Sequence, residues 1–242
     1  MKKMLSKYGL AVLLFILAFF LLSGCSNPDP YTADNGARVA QEFDFNYPST
    51  LLDASCENIT LSPDTRYSEV TKRLVDSSVE GLKPLVEHLF SQNHVATKPE
   101  KMKLILRFVQ TQIGTQFKFF DEGITLKCPL NTVKSRAGIK AERISLFASM
   151  VKAAGFKPLI VTAYSKDESE KRSFVGVAFN EKELKQLKEY FYFLHNGKKY
   201  VVFLPNSISC DFSCHPGQLF VTGIGKDGHQ LLLENKTLVI EV

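Results

Sequence analysis

The chain of 242 residues contains no tryptophan, five histidines and five cysteines. No cysteine falls between Asn131 and Ser209, and no histidine between Val95 and Leu194. A thiol–imidazole couple therefore cannot arise within residues 131–194. There is no internal repeat and no low-complexity segment, which excludes solenoid and fibrous architectures. Charge of one sign is also scarce: the formal net charge is +5, and it falls to +2 once Lys2, Lys3 and Lys7 are set aside with an N-terminal leader. So small an excess gives no electrostatic footprint for nucleic acid. The one long apolar run, Leu10 to Leu22, is short for a membrane span.

That run has another meaning. Three lysines precede it and Leu22-Ser23-Gly24-Cys25 follows at once, the order of a secretory leader with its cleavage region. The tetrapeptide resembles the lipobox of bacterial lipoproteins. The resemblance implies diacylglycerol on the Cys25 thiol, cleavage before Cys25 and acylation of the new amine. Two or more acyl chains hold a protein on a membrane stably, whereas one does so marginally. Ser26 rather than aspartate follows the cysteine, which implies the outer membrane, facing the periplasm.

The expected organisation is a signal peptide over 1–24, a lipid-anchored tether over 25–42, an N-terminal helical region over 43–97 and a folded domain over 98–242. Ser26 to Gly36, SNPDPYTADNG, has little to bury and suits a spacer. Phe43, Phe45 and Tyr47 alternate before Pro48. Val70, Leu74, Val75, Val79, Leu82, Leu85, Val86 and Leu89 recur at helical spacing, with Gly81 and Pro84 expected to break the run. Pro99 suits the first turn of another helix carrying Met102, Ile105, Leu106, Val109 and Ile113 on one face. Phe117 to Asn131 reads as a loop.

The most informative stretch is Arg136 to Val161. Ile139, Leu146, Phe147, Met150, Val151 and Ala154 describe a buried helix. Gly155 stands where it should stop, and Leu159, Ile160 and Val161 begin a strand. Short strands follow, with Asn196-Gly197 marking a tight hairpin. Helices first and strands afterwards predict an α+β domain, its helices packed on an antiparallel sheet.

This helix–strand pattern resembles the core of the transglutaminase-like superfamily, which has the papain-like fold. The resemblance covers Lys98 to Pro205, under half the chain. In that family a Gly-x-Cys-x-Asp turn opens the helix. Here Gly138 opens the turn, Lys140 holds the cysteine position and Glu142 the acidic slot. The family's histidine and aspartate positions fall on Phe174 and Leu204. A thiolate nucleophile needs a base, and the base an orienting carboxylate. Lys140, Phe174 and Leu204 supply none of these. The resemblance therefore implies an inactive domain, a pseudoenzyme that binds or scaffolds a peptide or peptidoglycan-type partner. It also requires the three positions to face one cleft.

The alternative is a thiol-dependent hydrolase or acyltransferase using a displaced cysteine: Cys128, Cys210 or Cys214, with His195 or His215. An oxidising envelope favours disulfides among Cys56, Cys128, Cys210 and Cys214, with three pairings open. Cys210-x-x-x-Cys214-His215 reads as a stapled loop rather than as a metal or haem site, so no metal and no cofactor is expected. His88 and His94 read as surface residues. Finally, Lys134, Arg136, Lys140 and Arg143 cluster about a helix start, where cations are unfavourable unless compensated. A bound anion is one possible compensation, Glu142 another.

Overall fold

The computed structural model describes residues 43–62, 66–116, 124–164, 171–187, 189–207, 221–225, 228–232 and 237–242. The expected leader, Cys25, the tether, Cys210, Cys214 and His215 lie outside the described residues. The described residues fall in one compact unit, 37–242.

In chain order, a 3-10 turn at Ser49–Leu52 precedes β1 (Ile59–Thr60), α1 (Tyr67–Gln92) and α2 (Lys98–Gln112). β2 (Gly114–Thr115), β3 (Thr125–Leu126), α3 (Pro129–Ser135) and β4 (Ala137–Gly138) lead to α4 (Lys140–Ala153). β5 (Pro158–Tyr164), β6 (Lys171–Ala178), the short α5 (Glu181–Leu184), β7 (Phe191–His195) and β8 (Lys198–Phe203) follow. β9 (Val221–Gly225), β10 (Gly228–Leu232) and β11 (Leu238–Glu241) complete the chain.

Gly81 and Pro84 do not break α1, which runs unbroken for 26 residues. An interior proline costs about 3 kcal/mol. Leu82, Leu85, Val86 and Leu89 are essentially inaccessible, and each contributes about 1.5–3 kcal/mol by burial. Pro84 itself is exposed, so its ring faces water rather than the core. Gly81 serves close approach instead: a Cβ there would lie 3.0 Å from Ala54 Cβ and 3.4 Å from Leu130. α2 begins as Pro99 implies, with a capping box in which Glu100 N–H donates to Thr97 Oγ1 and Thr97 N–H to Glu100 Oε2.

α4 is buried on nearly every side, the property of a helix enclosed by others. It ends in a Schellman motif. Gly155 adopts φ 84°, its N–H reaches Lys152 O, and Phe156 N–H reaches Val151 O. One apolar core runs from Leu52 through α1, α2, α3 and α4 to Ile240 of β11. The 43–97 region and the remainder thus share a single interior.

The main sheet has seven strands in the order β11-β5-β6-β8-β7-β10-β9. It is mixed, not purely antiparallel: β7 and β10 pair in parallel, with His229 opposite Phe191. β10 forms an antiparallel pair with β9, and that pair joins the sheet through β10. β7 and β8 meet through Asn196 (φ 49°) and Gly197 (φ 73°), with His195 opposite Lys198, the expected type I′ geometry. Alternate side chains divide the sheet. Ile160, Val175, Val177, Val201, Phe203 and Ile240 join the core shared with the helices. Leu159, Val161, Ala163, Phe174, Phe191, Phe193, Val202 and Leu231 form a second cluster on the other face.

That second cluster closes over Gly176. A Cβ at Gly176 would stand 2.5 Å from Phe193 Cζ, a ring stacked on Tyr200 at 5.5 Å. Gly176→Ala is therefore expected to cost about 1–3 kcal/mol by overpacking, read as a lower urea midpoint at unchanged slope. An unchanged midpoint would show that the Phe193 ring is free to move aside.

Candidate functional site

The start of α4 is assembled from five elements. Gly138 sits so close to Thr132 that a Cβ would come within 2.9 Å of Thr132 Cγ2. That approach brings the chain round to place Glu142 beneath the first turn. The Glu142 side chain has no exposed surface. Its Oε2 accepts from Ile139 N–H at 2.9 Å and its Oε1 from Lys127 N–H at 2.8 Å. Lys127 Nζ lies 3.8 Å away and also donates to Gln116 Oε1 and Ser135 Oγ. The positive end of the helix is thus compensated by a carboxylate of its own first turn.

Arg143 turns inward from the same helix start and is 1% exposed. Its Nη1 donates to Thr115 Oγ1 at 2.6 Å, and its Nη2 to Val109 O at 3.2 Å and Pro205 O at 2.9 Å. Burial pushes its pKa down from the usual guanidinium value. Arg143 so ties the end of α2, β2 and the segment after β8 together. Asn206 Nδ2 donates to Lys140 O at 3.2 Å, and Gln110 Nε2 to Leu204 O at 3.2 Å, closing the seam. Lys127, Thr115 and Asn206 were not singled out from sequence. Each acts through a partner remote in the chain, and no local pattern announces that.

The three triad positions do not converge. Lys140 is exposed at the first position of α4. Phe174 is fully buried in the second cluster, edge-to-face with Phe193 at 5.9 Å, and Leu204 packs against the same cluster. Both side chains thus belong to the sheet face away from α4. A strand reverses its faces at every residue, so an alignment one residue out inverts the side chain it selects. Val175 and Phe203, paired with each other across β6 and β8, occupy the helix-facing layer. Neither they nor their neighbours Ser173 and Pro205 carry an imidazole or a carboxylate.

The four cations do not form one anion pocket either. Lys134 Nζ donates to Ala54 O at 2.8 Å, Lys140 faces solvent, Arg143 is interior, and Arg136 lines a groove on another side. Cys128 is bonded to Cys56, with Cα atoms 6.1 Å apart, and is 0% exposed. A disulfide sulfur offers no thiolate, so Cys128 in this state is not the displaced nucleophile. Cys128 also caps α3, in the stretch expected to be loop. Asn58 Oδ1 accepts from Cys128 N–H and from Asn131 Nδ2, both at 3.0 Å, beside the bridge. His195 stands 3.3 Å from Glu241 Oε1. Among the described residues, no three of His, Cys, Asp and Glu group as a metal site would.

A groove of about 600 Å3 is lined by Phe43 to Pro48, His88, Gln92, Gln112 and Arg136. His88 is part of it, through a 3.2 Å contact with Asn46 O. The alternation of Phe43, Phe45 and Tyr47 was its one sequence signal.

No family model matches the chain, and no curated protein matches it. Among solved structures, a "putative protease" from Parabacteroides distasonis is 15% identical, with a TM-score of 0.39 over 61% of this chain and 36% of that one. The chain thus spans about a third of that protein's length, and so weak a likeness carries no argument about activity.

Proposed function

We propose that the protein is a lipid-anchored component of a bacterial cell envelope, at the outer membrane and facing the periplasm. Its α+β domain is a non-catalytic relative of the transglutaminase-like fold that binds or scaffolds a peptide or peptidoglycan-type partner. The observation that carries this proposal is the construction of the α4 start. The place where a thiol nucleophile would be activated is filled by the Glu142 hub, with exposed Lys140 above it. Thiolate chemistry needs a helix start or an imidazole to lower the thiol pKa, and here the helix start is already committed to a carboxylate. The oxidised Cys56–Cys128 pair supports an oxidising compartment.

Anchoring has its own test. Expressed in a bacterial host with labelled palmitate, the protein is expected to take up label and partition into detergent, and Cys25→Ser is expected to abolish both. Label persisting in Cys25→Ser would end the lipoprotein assignment. Non-catalysis is tested by incubating the mature protein with peptides and cross-linked peptidoglycan fragments and weighing the products. Turnover that Cys210→Ser or Cys214→Ser abolishes would replace the binding role with an enzyme.

A further inference from the structure

We infer that the groove beside Phe43–Pro48 is a site for an extended, carboxylate-bearing peptide, held as an added strand with its acid on Arg136. The inference rests on the binding role proposed above and locates the site, away from the α4 start.

The backbone supplies the first reason. From 44 to 48 the chain runs without a turn, and burial alternates: Phe43, Phe45 and Tyr47 are half-buried while Asp44 and Asn46 are exposed. Phe45 and Tyr47 lean on buried Phe108, at 5.7 and 5.9 Å between rings. The backbone of Asp44 is bound on both sides, its N–H to Asn93 Oδ1 and its C=O to Asn93 Nδ2. Asn46 O meets His88 Nε2. The N–H and C=O of Asp44 and the C=O of Asn46 therefore turn toward α1 and its C-cap, while the Asn46 N–H turns back to Asp44 Oδ1. By the two-residue period of an extended chain, those of Phe45 and Tyr47 point the other way. Among the described residues they have no hydrogen-bond partner. An unpaired extended edge is what an added peptide strand completes. Pro48, which lacks an N–H, ends it as an edge tolerates.

Charge supplies the second reason. Arg136 is exposed and lines the groove, and its guanidinium has no partner among the described residues. It is held at φ 49°, an uncommon conformation for arginine. Asp44, the one acid in the lining, is already engaged. Its Oδ1 accepts from Asn46 N–H at 2.9 Å and Asn46 Nδ2 at 2.8 Å, and its Oδ2 from Gln92 Nε2 at 2.6 Å. Those donors are neutral amides that occupy the carboxylate without a cation, which leaves Arg136 as the cation of the lining with its guanidinium open, and a planar guanidinium suits a carboxylate.

The test uses the full mature chain and fluorescein-labelled octapeptides of alternating valine and threonine with one central glutamate. Fluorescence anisotropy is expected to show binding. It should weaken about tenfold or more when the glutamate is replaced by lysine, and comparably when alternate backbone nitrogens are methylated. Arg136→Gly removes the guanidinium while giving φ 49° to the residue that tolerates it, so its melting temperature is expected to hold. Its affinity for the glutamate peptide should fall to that of the lysine peptide. Equal binding by Arg136→Gly, indifference to methylation, or no binding of the glutamate peptide overturns the site. Binding that appears only after deletion of residues 26–42 also overturns it, because the chain's own tether would then be the occupant. Cleavage of the bound peptide, by mass, would sink the non-catalytic role and leave the site standing.

Discussion

Replacing Glu142 with alanine is expected to destabilise the domain by about 3–5 kcal/mol, the range for breaking a buried charged pair. Three losses combine. The N–H groups of Ile139 and Lys127 lose their acceptors inside the protein, each costing about 1–3 kcal/mol when left buried and unpaired. Lys127 loses its carboxylate, although Gln116 and Ser135 remain within its reach. The first turn of the central helix loses the charge that compensates its dipole. In a domain of this size the melting temperature should drop by on the order of 10 °C. Glu142→Gln is the sharper probe. Its amide keeps one acceptor and turns a donor against the other N–H, so its loss should be smaller but clear. Thermal melts of both variants decide the matter. If Glu142→Ala melts with the wild type, the carboxylate is not the hub of the helix start.

The second large effect is expected at the disulfide. Cys56 and Cys128 close a loop with a sequence separation of 72 residues. Loop-closure entropy assigns about 4 kcal/mol to a crosslink of that length. The bridge joins the segment after Leu52 to the N-cap of α3, and α3 packs on α4. Cys56→Ala with Cys128→Ala should lower the urea midpoint markedly while leaving the folded-state circular dichroism in place. Reduction of the wild type should reproduce the shift. A midpoint unchanged by both would mean that the bridge does not constrain the unfolded chain.

Much of this architecture can be read from sequence where a local rule is strong. Gly155 ends α4 because only a residue at ease with positive φ completes the Schellman motif. Asn196 and Gly197 make the hairpin for the same reason. The apolar positions read for α2 and α4 fall on buried helices, with Ile113, Ile139 and Ala154 at their caps. Local rules mislead where tertiary burial outweighs them, as at Pro84 inside α1. They fall silent where a strand is buried on both faces. Phe174, Val175 and Val177 read as a continuous apolar run, so nothing marks which of them faces α4, and the triad alignment selected the wrong face at Phe174 and Leu204. The β7–β10 direction and the Cys56–Cys128 pairing are set by distant parts of the chain. The cation cluster about Arg136 and Lys140 is close in sequence only, because the left-handed Arg136 turns the chain between α3 and α4.

The central proposal is that the domain is non-catalytic, with no working thiol. It is tested most directly by treating the mature, unreduced protein with a thiol-directed alkylating agent and weighing it intact. With Cys56 bonded to Cys128 and Cys210 expected to pair with Cys214, no adduct should form before reduction, and adducts on all four cysteines only after reduction and unfolding. A single adduct formed rapidly on the folded, unreduced protein, at a rate that falls as an imidazole is protonated, would contradict the claim and identify an enzyme.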